Sequence, residues 1–375
     1  RARLATRHAL APGSRVATAE AAAAAMTCLH ATEPASVHLS AVARSGATRA
    51  DVLRALHEER TLVLQQAMRR TVFAFPRDLL PAVLGSAAAR TAAQLATRLA
   101  KEVEAAGLAD DGVAWVARAC AAVHERLRGA PATTRQLRDA LPELALRLEV
   151  APGTSYGGRF PVAPRVLSVL AAGGRVLRGA PAAGWKVSRP FWTTAEDWLG
   201  REPERLDQRA GYAELVRRWL WTFGPGTEDD LVWWLGGTGT AVRRALADAG
   251  AVPVRLAGGS PAWVRDDDTA EVRAAEPWAA LLPALDPTTM GWKGRDFYLG
   301  DLAPRLFDAN GNGGPTAWWD GRIVGGWTQD PGGAVLVVPA LALPRAARRA
   351  LAAEAERLSA WLDGDIVRST YQSPL

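Results

Sequence analysis

Within four residues the chain places an imidazole, a hydroxyl and a carboxylate: His30, Thr32 and Glu33, with Pro34 immediately after. An imidazole takes or gives a proton near neutrality, and a hydroxyl holds a water by hydrogen bonding. A carboxylate favours developing positive charge. An Ala-rich helix over residues 17–26 leads into this corner. The residue before a proline is pushed out of the α region, so Glu33 and Pro34 forbid its continuation. His30 and Thr32, two apart, are therefore expected to project from one corner into a cleft. On this reading His30 lies near a helix C-terminus, whose partial negative charge favours the protonated imidazole.

Other chemistry-bearing patterns are absent. There is no Walker loop, no dinucleotide fingerprint and no nucleophile-elbow serine. Residues 308–313 (DANGNG) match the start of a calcium loop, but the twelfth position is Trp319 instead of a glutamate, so an Asn/Gly turn is expected. The five histidines (His8, His30, His38, His57 and His124) form no H-x-x-x-H pair. His57 and His124 read as helix-surface residues, and His38 as packed under a following hairpin. Two cysteines, Cys28 and Cys120, suit neither a zinc site nor a disulfide framework and read as buried apolar residues. No metal and no organic cofactor is expected.

The elements that must position this corner belong to a chain of 375 residues, 49% apolar and 22% charged, enough for two or more domains of ordinary globular character. There is no run of 18 apolar residues, and the Ala-rich start lacks the order of a signal peptide; a cytoplasmic protein without a membrane partner is expected. The net charge is +6 and uneven: residues 1–150 balance to +6, residues 151–270 to +2 and residues 271–375 to −2. Such a gradient suits a polyanionic partner met mainly by the front of the chain. Only three of the 45 basic residues are lysines. GC-rich coding explains that choice of arginine, but not the gradient.

Three times, helices are followed by a short apolar hairpin, the order of a winged helix-turn-helix. The first copy spans residues 17–75, with a helix over 48–58 and a hairpin over 61–75 whose turn carries Arg69 and Arg70. Adjacent arginines on a hairpin tip suit phosphates or a minor groove; an exposed basic loop is the alternative. A helix over 86–106, capped by Ser86, joins this copy to the next. The middle copy spans 112–190, and residues 175–178 are expected to pair with 185–189. The third spans 206–268, with Thr227 and Thr238 as helix caps and strands at 251–256 and 261–265. Its last helix presents Arg243 and Arg244, either as a recognition helix or as a solvated basic face. Beyond residue 270, an Asp320-Gly321 hairpin and a closing helix over 344–362 read as a small β-domain. The division is then 1–85, 86–200, 201–270 and 271–375.

The residues carrying a family resemblance are 29–36 (LHATEPAS), 67–73 (AMRRTVF), 223–231 (FGPGTEDDL), 282–292 (LPALDPTTMGW) and 315–327 with its DGRIVG. Taken in this order, the chain resembles the bacterial AlkZ-like winged-helix DNA glycosylases from about residue 17 to 330. The resemblance implies an α+β fold of three tandem winged-helix motifs followed by a small β-barrel-like domain, enclosing a channel for double-stranded DNA. It also implies hydrolysis of the N-glycosidic bond of alkylated purines such as N7-alkylguanine, and of some interstrand crosslinks. Characterised members carry Gln-x-Gln or Gln-x-Asp where this chain has His30-Ala31-Thr32.

Together these residues point to a monomeric, monofunctional DNA glycosylase, with His30 as water-activating base, Thr32 orienting the water and Glu33 supplying a carboxylate. Arg69 and Arg70 would enter or flank a groove, and Arg243 and Arg244 would grip phosphates. The alternative is a non-catalytic winged-helix protein that binds damage or regulates transcription.

Overall fold

One order of elements recurs in the computed structural model, which describes residues 1–150, 157–273, 275–371 and 375. A helix is followed by a short strand or bridge, further helices, and an antiparallel hairpin whose second strand pairs with that short strand. In the first copy the helix Ala19–Ala25 leads to the strand Leu29–His30, the helices Pro34–Arg44 and Arg49–Leu53, and the hairpin Leu62–Gln66 and Val72–Pro76. Leu29 pairs with Ala74 and His30 with Phe73. In the second, the helix Gly112–Leu127 precedes an Ala132–Trp192 bridge, the helices Thr134–Ala140 and Ala163–Ala172, and the hairpin Val176–Pro181 and Pro190–Thr194. A further hairpin, Arg147–Val150 with Gly158–Pro161, is interposed. In the third, Gln208–Phe223 precedes a Gly226–Trp263 bridge, the helices Glu228–Leu235 and Gly239–Asp248, and the hairpin Ala251–Arg255 and Pro261–Arg265. The fold is α+β.

Local chemistry sets the helix starts. Thr18 accepts the Ala21 N–H, Thr238 accepts the Ala241 N–H, and Thr48–Asp51 and Thr227–Asp230 form reciprocal capping boxes. Pro34 occupies the first turn of its helix, where its fixed φ and missing N–H cost nothing. Every residue from Ala35 to Arg44 is buried, so this helix is a core element rather than a surface one.

The chain divides into two compact units. One comprises Arg1–Val63, Phe73–Arg77 and Tyr212–Leu375; the other comprises Leu64–Val72 and Asp78–Gly211. Trp219, Phe223, Tyr298 and Trp318 are fully buried in the first. The second is built on Leu99, Val103, Val123, Leu137, Val166, Leu170 and Trp192. In the first unit the strands Ala279–Leu282, Thr316–Trp319, Arg322–Gln329 and Val335–Pro339 form a sheet in that order. Asp320 (φ 45°) and Gly321 (φ 74°) make its central hairpin turn. The helix Arg345–Leu362 packs across the sheet through Ala347, Leu351, Ala355, Leu358 and Leu362.

Some expectations are corrected. The sheet is open: among the described residues its outer strands are edges, and no barrel closes. The hairpin after Arg175 pairs Arg178 with Trp192 rather than with residues 185–189, because the aromatic and β-branched run Pro190–Thr194 makes the better strand and leaves 182–189 as a loop. Ser86 precedes the helix Ala87–Ala105 but does not cap it; its hydroxyl donates backwards to the Ala82 carbonyl. His124 is buried rather than surface-exposed, with Nε2 3.5 Å from Glu196 Oε2. No helix among the described residues is long and apolar enough to cross a membrane.

Candidate active site

His30, Thr32 and Glu33 follow one another across the junction between the strand Leu29–His30 and the helix Pro34–Arg44. This corrects the expected electrostatics. The Ala-rich helix stops at Ala25, capped by Met26, and the chain turns at Thr27 (φ 65°) before the strand begins. The element that starts at the corner is an eleven-residue helix, so its partial positive N-terminus lies beside Glu33. A partial positive charge thus lies at this corner where the expected C-terminus would have placed a negative one.

The three side chains differ in access. His30 is 6% exposed and lies edge-to-face against Phe73, ring centroids 5.3 Å apart. Its Nδ1 accepts the Thr32 backbone N–H at a long 3.4 Å, which leaves the proton of a neutral ring on Nε2. Thr32 is exposed and Glu33 half-buried. Glu33 does not cap its own helix. Its Oε2 accepts the Ser369 hydroxyl at 2.8 Å, and its Oε1 accepts the Thr370 hydroxyl at 2.6 Å and the Thr370 N–H. Glu33 also borders a cavity of ≈560 Å³ whose lining includes Ser36, Trp327, Gln329, Arg368 and Ser369.

Behind the corner lies a buried polar network that the sequence did not suggest. Arg44, at the far end of the same helix, pairs with Asp286, and both side chains are fully buried. Ser40 Oγ and the Thr288 N–H also donate to Asp286, at 2.7 and 2.8 Å. Arg44 Nη2 donates to Thr288 Oγ1 at 2.7 Å. His8 Nε2–H donates to the Thr222 carbonyl at 3.1 Å, so Nδ1 receives the Thr288 hydroxyl at 2.9 Å. Burial first, then the Arg44 charge, pushes the His8 pKa down to about 3. Burial, His57 and Arg49 push His38 down to about 3 as well. Both rings are neutral structural groups.

The expected DNA-contacting arginines are distributed over both units. Arg69 and Arg70 lie in the second unit, at the turn of the hairpin Leu62–Pro76. Both have positive φ, 51° and 62°. The turn is closed by the Thr71 N–H on the Met68 carbonyl at 3.0 Å. Arg243 and Arg244 lie in the first unit, on the helix Gly239–Asp248, where Arg243 is paired with Glu228. The structure thus brings His30, Thr32 and Glu33 together in one corner. Among the described residues, no group of three or more His, Cys, Asp or Glu side chains converges.

No curated protein matches the chain by sequence. A solved structure, the DNA glycosylase AlkZ of Streptomyces sahachiroi, superposes with a TM-score of 0.75 over 98% of this chain and 95% of that one. At 20% identity, that likeness establishes a shared fold. The family model described as DNA glycosylase AlkZ-like matches residues 23–361, from before the His30 corner to the last turn of the closing helix. The chain therefore belongs to the AlkZ-like DNA glycosylase family.

Proposed function

We propose that this chain is a monofunctional DNA glycosylase acting on alkylated purines in double-stranded DNA, with N7-alkylguanine as the simplest substrate and interstrand crosslinks as an extension of it. The thrice-repeated order of helices and hairpin is read as three winged-helix motifs. The observation that carries the proposal is that the family match runs through a corner where an imidazole, an exposed hydroxyl and a carboxylate meet a helix N-terminus.

An N7-alkylated guanine is already a cationic leaving group, so its bond to C1′ breaks with little acid assistance. The protein must supply a positioned water and stabilise the positive sugar. In this reading the Glu33 carboxylate faces the developing cation, and the Thr32 hydroxyl holds the water. His30 Nδ1 takes the water's proton as its oxygen bonds to C1′, the lone pair being released from its long contact with the Thr32 amide. General-base help of this kind contributes about 10²–10⁴ in rate. The products are the free alkylpurine and an abasic site. Arg69 and Arg70 are assigned to the groove, and Arg243 and Arg244 to phosphates, with Arg243 exchanging Glu228 for DNA.

Duplex DNA carrying N7-methylguanine, incubated with the protein and then treated with alkali, tests the reading. Strand breaks are expected with the native chain and a loss of about 10²-fold or more in His30→Ala, with DNA affinity retained. The low exposure of His30 and the threefold engagement of Glu33 favour a second reading, a non-catalytic damage binder. That reading predicts retardation of alkylated duplex in a gel without breaks.

A further inference from the structure

The net charge of the whole molecule resides in one unit. Residues 64–72 and 78–211 carry 20 Lys and Arg against 14 Asp and Glu, a balance of +6, while the other unit has 25 of each and is neutral. Inside the basic unit the excess is more concentrated still. Residues 112–195 hold 12 basic and 4 acidic groups, or +8, and no carboxylate occurs between Glu149 and Glu196. The corresponding stretches of the other two copies balance to +1 (17–76) and −2 (212–268). Ion pairs take up part of the positive charge in both later copies, Arg128 with Glu125 and Arg165 with Glu102 in the middle one, Arg243 with Glu228 and Arg265 with Asp267 in the third, and the middle copy keeps the larger excess.

The middle hairpin carries this charge along its length: Arg175 stands at its base, where its carbonyl accepts the Ala195 N–H at 3.0 Å, and Arg178 midway along its first strand. Arg175 immediately precedes the strand Val176–Pro181, and residues 182–189 form a loop in which Lys186 and Arg189 are exposed. The loop is held by the Ala182 N–H on the Arg189 carbonyl at 2.7 Å. Arg178 lies over the Trp192 ring, 5.0 Å from its centroid, and donates to Ser188 Oγ at 3.3 Å. Trp192 is fixed in turn by its indole N–H on Thr134 Oγ1 at 3.1 Å. Arg178 is half-buried, and burial lowers its pKa. A guanidinium partly withdrawn from water and held against a ring gains from an anionic partner.

We propose that this hairpin and its loop are the chain's principal anchor on the DNA sugar–phosphate backbone, through Arg175, Arg178, Lys186 and Arg189. The proposal rests on the reading of duplex DNA as substrate, but it assigns the binding energy to a different copy from the one bearing Arg243 and Arg244. Arg178 is the preorganised member midway along the hairpin, Arg175 reaches a phosphate from its base, and Lys186 and Arg189 reach others from its loop. Contacts to phosphates carry no sequence information, which suits a protein that must scan any duplex.

Binding of an undamaged, fluorescein-labelled duplex, measured by anisotropy over a series of salt concentrations, provides the test. Each phosphate neutralised contributes about 0.9 to the slope of log affinity against log salt. The triple variant Arg175→Gln, Lys186→Gln, Arg189→Gln is expected to lower that slope by about 2.7 while keeping the native melting temperature. A charge-matched control, Arg322→Gln, Arg345→Gln, Arg349→Gln, is expected to leave it unchanged. The charge-keeping pair Arg175→Lys, Arg189→Lys is expected to retain the native slope. An unchanged slope in the triple variant overturns the proposal, as does an equal fall in the control, which would assign binding to overall charge. Because the duplex is undamaged, the outcome is independent of glycosidic cleavage: a chain that binds through this hairpin and leaves N7-methylguanine intact overturns the enzymatic reading alone.

Discussion

Arg44 and Asp286 meet fork to fork inside the first unit, Nη1 to Oδ2 at 2.8 Å and Nη2 to Oδ1 at 2.6 Å, with neither side chain exposed. The pair fastens the buried helix Pro34–Arg44, whose opposite end is the His30 corner. A buried ion pair adds little over well-packed apolar residues, but removing one member strands a charge at a cost of about 3–5 kcal/mol. Asp286→Ala is expected to lose that much in urea unfolding, and Arg44→Met with Asp286→Leu far less. A loss below about 1 kcal/mol in Asp286→Ala would mean the pair does not hold the helix. Burial alone would raise the Asp286 pKa; Arg44 and the surrounding donors outweigh it and lower the value. The contribution is thus fully present above the ordinary carboxylate pKa and is lost as pH falls through the depressed one.

His8 and His38 give the acid limb of stability a second source. Both have folded pKa values near 3 against an ordinary 6.5, so both are neutral in the fold and charged when unfolded in mild acid. Their contribution is complete above 6.5 and falls as pH drops towards 3. Each should add about 1.4 kcal/mol per pH unit to the slope of unfolding free energy between those limits. Urea unfolding from pH 4 to 7 is expected to show this, and His38→Gln to remove one proton's worth. An identical slope in that variant would mean that His38 protonates freely in the folded protein.

What was legible in the sequence was local. Thr48, Thr227 and Thr238 announce helix starts because a cap and its partner lie three residues apart, and Asp320-Gly321 announces a turn because both residues tolerate positive φ. The site's surroundings are not local. Arg44 finds Asp286 across 242 residues, and Glu33 finds Thr370 across 337. No periodicity announces such partners. Pro34 by itself does not show whether it ends the helix before it or begins the one after it; in the fold it begins the next. In the middle copy, residues 185–189 and 190–194 both offer a tryptophan to a returning strand. The second run is the more aromatic and β-branched, and Trp192 is also seated on Thr134 across 58 residues.

The hairpin turn at Arg69 and Arg70 is built from residues that a two-residue turn of this hand disfavours. With both φ values positive, Asn-Gly is the preferred pair, and each arginine there costs about 1–2 kcal/mol. Retaining arginine at such positions fits a role on DNA rather than in folding. Arg69→Asn with Arg70→Gly is expected to raise stability by about 2 kcal/mol and to lower the salt slope of duplex binding by about 0.9 for each arginine that touches a phosphate. A more stable protein with unaltered binding would leave the turn a role in folding only.

Thr32 offers the cleanest separation of chemistry from structure, because its side chain is exposed. Thr32→Val removes only the hydroxyl at nearly constant volume, and surface changes of this kind alter stability by about 0.5 kcal/mol at most. If the hydroxyl positions the attacking water, single-turnover release of N7-methylguanine should fall by about 10–100-fold with duplex affinity unchanged. Thr32→Ser should recover most of the rate, since it restores the donor and acceptor on the same carbon. A valine variant as fast as the native chain would remove Thr32 from the reacting groups and leave the water to His30 and Glu33, where the carboxylate's engagement by Ser369 and Thr370 would then have to loosen before catalysis.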